Sequence, residues 1–373
     1  MNKKIILFLF GTRPEAIKLA PLIVEFKKNI HFETKICLTG QHREMVDQVL
    51  RLFSIIPDYD LNLMMPNQSL SNITARSLIE IGKLLEEIIP DLIFVQGDTS
   101  TAFASALAAF YKRIKVVHIE AGLRTLNKYF PFPEEINRTL ISRIADYHFA
   151  PTPKAKENLE KENIIKNVWV VGNTVIDALL LSLNIITQNG EQLFYDKFKQ
   201  IDFSKKIILV TCHRREIFGE PFKKICESFY EIAQNQDVEI VYPIHLNPNI
   251  KNFAHKYLNG RENIKLIAPL PYSELVWFMD KSYLVLTDSG GIQEEAPSLG
   301  KPVLVLRNET ERTEGIEAGN SKLVGTKKND IVDATNQLLF DTTLYNSMRN
   351  KANPYGDGTS SQKIYTIINK ILN

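Results

Sequence analysis

Short, uninterrupted apolar runs recur along this chain, and longer segments with helical periodicity separate them. Such runs are typical of parallel strands that are buried on both faces, because a strand with one solvated face would alternate polar and apolar residues. Their alternation with helical segments indicates βαβ units, so the sequence predicts an α/β fold. The runs lie at residues 5–10, 92–95, 116–119, 207–210, 283–286 and 302–306.

The pattern of strands and helices occurs twice, before about residue 173 and after about residue 205, with a polar, turn-rich stretch at residues 187–190 between the two sets. A chain of 373 residues also exceeds the size at which one hydrophobic core usually keeps growing. We therefore expect two Rossmann-like domains, residues 1–173 and 174–356, whose parallel sheets face each other across a cleft that holds the site. A last helix within residues 357–373 is expected to pack back on the first domain.

The composition argues against several classes of protein. The net charge is only +2 and the basic residues are spread along the chain, so neither a nucleic acid nor a membrane surface is an expected partner. The apolar run at residues 5–10 is too short for a signal peptide, and no run approaches the roughly 20 residues that span a bilayer. Three cysteines without CxxC spacing indicate neither a zinc site nor a disulfide framework. We expect a cytoplasmic protein without a metal or a dissociable cofactor.

A candidate phosphate site follows the run at residues 283–286. Ser289, Gly290 and Gly291 come after this predicted strand and open a helical segment, so backbone N–H groups could approach a diphosphate there. The same residues also fit an ordinary strand-to-helix turn. Glu295 follows about one helical turn later, where a carboxylate could accept hydrogen bonds from a ribose; otherwise it is a solvated helix residue.

Three cations lie close to predicted strand ends. Arg13 is at the strand-to-helix turn of the first domain, Lys18 lies on the next helical turn, and Arg312 follows the last apolar strand of the second domain. Each alone could be a solvated surface residue. The chain has no GxxxxGK[ST] loop and no GxGxxG motif, which argues against an ATPase or a nicotinamide enzyme. A ligand that carries phosphate, without hydride chemistry, fits these features best.

Three carboxylates are candidates for acid/base chemistry. Asp98 and Glu120 each follow a predicted parallel strand, at the edge where α/β proteins place ligands. Asp98 could instead cap a helix. Glu120 is harder to explain without a function, because a carboxylate between an apolar run and Ala-Gly is costly unless it is paired or solvated. Glu134 follows a proline, and a Pro-Glu pair is also a common way to begin a helix.

Two histidines follow predicted strands of the second domain. His213 and Arg214 come after the run at residues 207–210, where they could stabilise charge on a departing phosphate. His245 offers a second imidazole at another strand end, and either histidine could instead be structural. Cys212 is interpreted as a packing residue, because adjacent residues on a strand point to opposite sides and a Cys-His pair would not form there.

Together these motifs closely resemble the non-hydrolysing bacterial UDP-N-acetylglucosamine 2-epimerases, a family with the two-domain glycosyltransferase-B architecture. The similarity extends, in order, over nearly the whole chain and does not depend on one short pattern. The motifs are GTRPEAIK at 11–18, QGDT at 96–99, EAGLR at 120–124, PEE at 133–135, GNT at 172–174, HRRE at 213–216, DSGGIQEE at 288–295 and NPYGDG at 353–358.

The resemblance implies roles for individual residues and partners. The partners would be UDP-N-acetylglucosamine and UDP, and the protein would be a homodimer that needs no cofactor. The residues that match the family's catalytic positions are Asp98, Glu120, Glu134 and His213. Those that match substrate positions are Arg13, Lys18, Ser289, Gly290, Gly291, Glu295 and Arg312.

The implied reaction explains why several carboxylates are needed. The C2 proton of the sugar is not flanked by a carbonyl, so it must be acidified before a base can remove it. Departure of UDP builds positive charge at C1, and loss of the C2 proton then leaves 2-acetamidoglucal. Protonation of the opposite face of C2 and return of UDP give UDP-N-acetylmannosamine. Two acid/base groups are required, while cations hold the departing UDP.

The sequence departs from the family pattern at two positions, because Ile217 replaces the usual Asn after HRRE and Thr313 replaces a common Pro. Many bacterial members are also activated by their substrate at a second, interdomain site. The residues that match that site are Gln41, Arg214 and His245, whereas Glu44 and Asn67 differ from some members.

Four other functions stay open on the sequence alone, and one of them is a related epimerase that acts on a modified UDP-sugar. A hydrolysing relative would release free N-acetylmannosamine, although its first-strand motif differs from GTRPEAIK. A retaining glycosyltransferase of the same architecture would require an acceptor. A non-catalytic sensor of UDP-sugars would bind its ligand without turnover. For the epimerase, supply of an envelope polysaccharide precursor is the expected pathway.

Overall fold

The computed structural model describes residues 3–40, 43–65, 68–245 and 247–372. The chain divides into two compact units: Met1–Leu181 with Gly356–Asn373, and Ser182–Tyr355. All six apolar runs singled out in the sequence are parallel strands, and helices alternate with them in both units. The predicted α/β class, with two Rossmann-like units, is therefore confirmed.

The first unit contains one seven-stranded parallel sheet. Its strands are β1 (Lys4–Phe10), β2 (Phe32–Leu38), β3 (Tyr59–Asp60), β4 (Leu92–Gln96), β5 (Lys115–Ile119), β6 (Tyr147–Ala150) and β7 (Val168–Val170). The strand order is β3-β2-β1-β4-β5-β6-β7, so the chain reverses direction across the sheet between β1 and β4. In open parallel sheets, ligands bind at the carboxyl ends of the strands beside such a switch point.

The helices of the first unit begin at good capping residues. Thr12 and Glu15 form a capping box at α1, Ser69 caps α3 and Thr99 caps α4. These caps satisfy backbone N–H groups that would otherwise lack a partner at a helix start. The helices are α1 (Arg13–Lys27), α2 (Arg43–Leu52), α3 (Leu70–Ile88), α4 (Ser100–Tyr111), α5 (Glu134–Ile144), α6 (Pro153–Lys161), α7 (Thr174–Asn189) and the chain-terminal α16 (Ser360–Leu372).

Aromatic side chains join the sheet to two helices in the core of the first unit. Phe8 stacks on Phe94 of the neighbouring strand with ring centroids 4.6 Å apart, and Phe26 of α1 packs edge-on against both rings. Tyr365 of α16 packs edge-on against Phe26 at 5.2 Å. The terminal helix thus packs on α1 and belongs to the first unit.

The second unit repeats the same strand order in a six-stranded parallel sheet, β10-β9-β8-β11-β12-β13. The strands are β8 (Lys206–Thr211), β9 (Val238–Pro243), β10 (Ile264–Ile267), β11 (Leu284–Thr287), β12 (Val303–Val305) and β13 (Ser321–Leu323). The helices are α8 (Gln192–Lys197), α9 (Glu220–Ile232), α10 (Pro248–Leu258), α11 (Tyr272–Lys281), α12 (Gly290–Glu295), α13 (Thr313–Ala318), α14 (Lys328–Phe340) and α15 (Thr342–Arg349). Arg312 follows β12, the last of the apolar strands, and the short strand β13 comes after it.

The structure divides the chain at residue 181, within α7, and not at the expected residue 173. The first half of α7 is held in the first unit because Asp177 accepts hydrogen bonds from the backbone N–H groups of Ser360 and Ser361 at the start of α16. The stretch expected to be turn-rich, residues 187–190, is helical up to Asn189. Its polar side chains bond back within the helix, as Thr187 does to the carbonyl of Leu183.

Two kinds of feature are absent from the described residues. In these parts of the chain, no helix combines the length and apolar character that crossing a membrane would require. Within the same residues, no group of three or more His, Cys, Asp or Glu side chains has a geometry that could hold a metal ion.

Candidate active site

In the first unit, charged side chains follow three neighbouring strands at the carboxyl edge of the sheet. Arg13 and Lys18 lie on α1 after β1, Asp98 follows β4, and Glu120 follows β5. These strands are consecutive in the sheet and include the switch point between β1 and β4. This is the edge at which the sequence predicted a ligand site.

Glu120 is a paired and almost fully buried carboxylate. Lys18 Nζ lies 2.6 Å from both of its oxygens, and the side-chain exposed fractions are 16% for Lys18 and 6% for Glu120. Two amides also donate to it, Gln96 Nε2 to Oε2 and Asn173 Nδ2 to Oε1. Lys18, assigned to substrate binding from the sequence, is therefore also the counter-ion of Glu120, and the expectation that a carboxylate here must be paired is confirmed.

The backbone at Glu120 adopts an unusual conformation. Its φ of 65° lies in the left-handed region, which costs a residue with a side chain about 1–2 kcal/mol. Two residues on, Gly122 has a φ of 93°, and an added Cβ there would lie 2.1 Å from the carbonyl oxygen of Ala155. The turn thus requires glycine at 122 and holds Glu120 in a conformation that its hydrogen bonds stabilise.

Asp98 forms an ion pair with Arg138 of α5, a residue that the sequence interpretation did not single out. Asn137 Nδ2 donates to the backbone carbonyl of Asp98 at 2.9 Å, so both the side chain and the loop are fixed to α5. Desolvation raises the pKa of Asp98 above its ordinary value, against the charge of Arg138, and the nearby charge of Glu120 adds to the increase. A carboxyl group that ionises less readily than usual suits reversible proton transfer.

Glu134 is the first residue of α5 and is half-buried. Asn137 and Arg138 follow three and four positions later, so all three side chains lie on one face of the helix. Because the other two residues bind the Asp98 loop, the geometry of α5 brings Glu134 to the same side of the sheet as Asp98.

One ion pair and two backbone hydrogen bonds fix the loop before α5. Glu135 Oε1 accepts the backbone N–H groups of Thr125 and Leu126, each at 3.0 Å. Arg124, whose side chain is 2% exposed, forms a bidentate pair with Glu162 at 2.7 and 3.0 Å. These contacts hold both ends of the segment that leads from Glu120 to Glu134.

Glu15 connects the turn before α1, which carries Arg13, to the loop that carries Asp98. Its Oε2 accepts the backbone N–H groups of Gly11 and Thr12 at 3.0 and 2.8 Å, and its Oε1 accepts the Thr99 hydroxyl at 2.7 Å. Burial raises its pKa, although these hydrogen bonds oppose the increase. Arg13 begins α1 directly after this turn and is half-buried.

A buried histidine lies beneath the Asp98 loop. His118 of β5 is fully buried, and its Nε2 lies 2.8 Å from the carbonyl oxygen of Gly97. Desolvation lowers its pKa to about 3, so it is neutral at physiological pH and its Nε2 donates to that carbonyl. His148 pairs with it across β5 and β6, and desolvation lowers the pKa of His148 to about 4.

In the second unit, the predicted residues follow four neighbouring strands. His245 follows β9, His213 and Arg214 follow β8, Ser289 follows β11, and Arg312 follows β12. The imidazole rings of His213 and His245 stack with centroids 5.2 Å apart and planes 9° from parallel. The structure therefore brings together His213, which the resemblance assigned to catalysis, and His245, which it assigned to the activating site.

Three arginines lie around Glu311 at the carboxyl edge of the second sheet. Arg214 lies 3.3 Å from Glu311 and 3.8 Å from Glu216, and Arg307 pairs with Glu311 at 2.8 Å. Although burial opposes ionisation, Arg312, Arg307 and Arg214 lower the pKa of Glu311 to about 2. Glu311 thus stays ionised and holds three cations in place.

The segment Ser289–Gly290–Gly291 is the turn from β11 into α12, as predicted. The backbone N–H of Ser289 donates to the Thr287 hydroxyl, and a Cβ at Gly290 would lie 3.3 Å from Glu311 Oε1. Glu295, 5% exposed, accepts the Tyr272 hydroxyl at 2.8 Å, so it is not a solvated helix residue. Arg312 pairs with Glu294, which lies on α12 next to Glu295.

The remaining residues named in the sequence analysis lie outside the described residues, pack in a core or lie at the start of a helix. Gln41 and Asn67 lie outside the described residues. Ile217 is 2% exposed and packs in the hydrophobic core of the second unit, whereas Thr313 begins α13. Cys212 is buried, as the packing interpretation requires.

Most of the residues that the sequence interpretation missed lie inside the motifs that it used. They are polar residues next to a strand end, and that position was the available signal. Arg138 is the exception, since it comes one helical turn after Glu134 and shows no such signal. The residues are Glu15, Gln96, Asn173 and Asp288, together with Arg138.

Comparison with known proteins gave consistent matches. A family model described as UDP-N-acetylglucosamine 2-epimerase matches residues 24–369. The UDP-N-acetylglucosamine 2-epimerase of Salmonella typhimurium is 52% identical over 363 residues, which cover 96% of each chain.

Two solved structures are similar over nearly the whole chain. The epimerase of Neisseria meningitidis bound to UDP-N-acetylglucosamine matches with a TM-score of 0.90 and 49% identity, covering 98% of this chain and all of that one (100%). The epimerase of Methanocaldococcus jannaschii in complex with UDP-N-acetylglucosamine and UDP matches with a TM-score of 0.80 and 36% identity, covering 98% and 99%.

Proposed function

This chain belongs to the UDP-N-acetylglucosamine 2-epimerase family, and we propose that it converts UDP-N-acetylglucosamine reversibly into UDP-N-acetylmannosamine without hydrolysis. The observation that carries the proposal is the set of buried, paired carboxylates at one sheet edge. Asp98 is held by Arg138, and Glu120 is held by Lys18 and two amides. Such groups keep a fixed position and charge for proton transfer.

The reaction begins with breakage of the bond between C1 and the UDP oxygen. UDP leaves with the electron pair, and the positive charge that develops at C1 acidifies the C2 proton. A carboxylate accepts this proton, and the electrons of the C2–H bond form the C1–C2 double bond of 2-acetamidoglucal. Delivery of a proton to the other face of C2 and return of UDP to C1 complete the inversion.

The first unit supplies the proton-transfer groups in this proposal. Asp98, Glu120 and Glu134 are the acid/base candidates, and the raised pKa of Asp98 makes its carboxylate a stronger base than that of an ordinary aspartate. Lys18 is the counter-ion of Glu120 and holds its carboxylate in position. Arg13, next to the capped turn of α1, would contact the substrate.

The second unit supplies the groups that hold UDP. Ser289, Gly290 and Gly291 form the turn that binds the diphosphate, with the backbone N–H groups of the two glycines as donors, and Glu295 accepts hydrogen bonds from the ribose. His213 and Arg312 stabilise the negative charge that develops on the departing UDP. The matches to structures that hold UDP-N-acetylglucosamine and UDP support this assignment.

A second substrate molecule is proposed to activate the enzyme through Arg214 and His245, together with Gln41. The stack of His245 on His213 supports this role, because a ligand that contacts one ring would alter the position of the other. Activation would require a differential affinity of that ligand for the active arrangement of the site.

Three further properties belong to this proposal. A homodimer follows from the family resemblance, and α3 and α4 expose large apolar side chains, Ile79, Phe110 and Tyr111, that a second copy could cover. A cytoplasmic location agrees with three buried cysteines that are free thiols. Supply of an envelope polysaccharide precursor is the proposed pathway.

The proposal is tested with UDP-N-acetylglucosamine that carries ¹⁸O in the oxygen bridging C1 and the β-phosphorus. The products of the reaction are then analysed. We expect UDP-N-acetylmannosamine as the sugar product, with the label redistributed to the non-bridging oxygens of the β-phosphate, because UDP becomes free to rotate once the C1–O bond is broken. Release of free N-acetylmannosamine in step with turnover would establish a hydrolysing enzyme instead. Epimerisation with no redistribution of the label would argue against elimination of UDP.

A further inference from the structure

Asp288 is a fully buried carboxylate that no step of the reaction described so far uses. It follows β11 and precedes the phosphate turn, and its Oδ2 accepts the backbone N–H groups of His213 and Arg214, each at 2.7 Å. The loop after β8 is therefore attached to the loop after β11 through one carboxylate oxygen. These two N–H donors fix the orientation of the carboxylate.

The other oxygen of Asp288 faces the catalytic imidazole. Oδ1 is buried, with the thiol of the neighbouring Cys212 within hydrogen-bonding reach of the same carboxyl group, and it lies 3.7 Å from Nδ1 of His213. This distance exceeds that of a hydrogen bond, but a small rotation of the imidazole would close it. Catalytic hydrogen bonds are commonly long before the substrate binds.

We propose that Asp288 is a positioning residue for His213, holding the imidazole with its proton on Nδ1 and stabilising the imidazolium form. The inference rests on the proposed function, in which His213 interacts with the departing UDP. With Nδ1 bound to Asp288, Nε2 on the opposite side of the ring remains for the phosphate. In the imidazolium form Nε2 carries a proton and donates it as a hydrogen bond to the phosphate oxygen.

The surroundings of the ring favour this arrangement. His245 stacks on one face of His213 with ring centroids 5.2 Å apart, and this contact limits the orientations that the His213 ring can adopt. Arg214, the next residue, is drawn to Glu216 and Glu311, so its charge is balanced by theirs. Cys212 and Tyr242 lie beside Asp288 as neutral groups, because burial raises the pKa of each well above its ordinary value.

The direct test is Asp288→Asn, with Asp333→Asn on the exposed surface of α14 as the matched control. The asparagine oxygen can still accept the two backbone N–H groups, but its NH₂ group would face Nδ1 and favour the wrong tautomer. By analogy with the same exchange in a Ser-His-Asp triad, we expect kcat at neutral pH to fall by roughly 10²-fold or more. The affinity for UDP should change little, and the control should keep the activity of the parent protein.

The pH profile separates positioning from a purely structural effect. Without the carboxylate, the imidazolium form of His213 loses its proton at lower pH. The alkaline limb of log kcat against pH should therefore shift to lower pH in Asp288→Asn, and part of the lost activity should return as the solution is acidified. A uniform loss of kcat at every pH would contradict the proposal.

A double-mutant cycle with His213→Asn provides a second criterion. If Asp288 acts through His213, Asp288→Asn should cause little further loss of kcat in the His213→Asn background. Equal losses in both backgrounds would show that Asp288 acts independently of His213. The C2 epimerisation of the parent protein is measured in the same assay, so failure of the proposed function is recognised separately.

A measurement on the unmodified sequence covers the case in which Asp288→Asn does not fold. Uniform ¹⁵N labelling of histidine distinguishes the two neutral tautomers, and His213→Asn identifies the signal. We expect the neutral His213 ring to carry its proton on Nδ1, whereas a proton on Nε2 would overturn the proposal.

Discussion

The side chain of Glu120 is fixed by its neighbours in both position and charge. Lys18 and the amides of Gln96 and Asn173 donate to it, and its backbone is left-handed. Three side chains thus stabilise one buried carboxylate whose backbone conformation is strained. Such local strain is characteristic of functional sites.

Replacement of this one charge should affect turnover more than binding. We expect Glu120→Gln to lower kcat by roughly 10²- to 10⁴-fold, because a neutral amide cannot accept a proton from C2 and leaves the Lys18 charge unbalanced. The Kd for UDP, measured by calorimetry, should stay nearly constant. Glu87→Gln, on the exposed surface of α3, is the matched control. A Glu120→Gln protein with parental kcat would remove Glu120 from the proposed mechanism.

The buried histidines of the first unit predict a pH dependence of stability. Since desolvation lowers the pKa of His118 to about 3, the unfolded chain binds a proton below about pH 6.5 that the folded chain does not. Its contribution to stability is complete above that pH and is lost as the pH falls towards 3. His148 adds a second such group.

Urea unfolding measured between pH 7 and pH 4.5 tests this expectation. One histidine of this kind contributes a slope of up to about 1.4 kcal/mol per pH unit. The slope should be shallower in His118→Asn, which keeps an amide donor for Gly97 but cannot titrate. An identical slope in the parent and the variant would show that His118 does not titrate in this range.

The sequence was sufficient to place Asp98 and Glu120 at strand ends, because an apolar run that is interrupted by a carboxylate has reached the edge of the buried sheet. Their partners were not predictable. Arg138 lies 40 positions from Asp98 in the chain, and Asn173 lies 53 from Glu120. Periodicity reports local structure only, so contacts of this range require the three-dimensional fold.

At the scale of elements, an uninterrupted apolar run decided which strands could be predicted. The six apolar runs were recognised, whereas β2 and β9, which charged residues interrupt, were not. Short edge strands such as β3 and β13 were also missed. β3 has two residues and β13 has three, and Lys322 and Leu323 of β13 are exposed. A strand this short, at the edge of a sheet, has no apolar run to reveal it.

The attachment of α16 to α7 is the element-scale contact with the clearest energetic test. Asp177 accepts two backbone N–H groups at the start of α16, at 3.3 and 2.6 Å. Asp177→Ala leaves both without this partner, and we expect a loss of about 2 kcal/mol in the stability of the first unit.

The two tryptophans make this measurement specific. Trp169 stacks on Phe149 in the first unit, and Trp277 lies among aromatic side chains of the second. In a Trp277→Phe background, the fluorescence of Trp169 reports the first unit during urea unfolding. Asp330→Asn, on the exposed surface of α14, is the control. An unchanged unfolding midpoint in Asp177→Ala would show that this cap contributes nothing.

At the scale of the whole molecule, the sequence predicted two α/β units but not their boundary. The expected division at residue 173 agreed with the local pattern, because a new helix begins at Thr174. The structure moves the boundary to residue 181, since Asp177 and Leu180 contact residues near position 360, about half the chain away. Domain number follows from length and repetition, whereas a boundary depends on such distant contacts.

The two units carry different parts of the proposed chemistry. The first unit holds the paired carboxylates, and the second holds the phosphate turn, His213 and the arginines around Glu311. Proton transfer and stabilisation of the leaving group are thus assigned to separate sheets with the same strand order. The proposed mechanism requires that the C2 proton is removed and replaced during turnover.

Proton NMR of the purified protein with UDP-N-acetylglucosamine in deuterated water tests that claim most directly, without added cofactor or metal. We expect UDP-N-acetylmannosamine to appear with deuterium at C2. Recovered UDP-N-acetylglucosamine should also acquire deuterium at C2 as the reaction reverses. Formation of UDP-N-acetylmannosamine that retains the original proton at C2 would contradict the account.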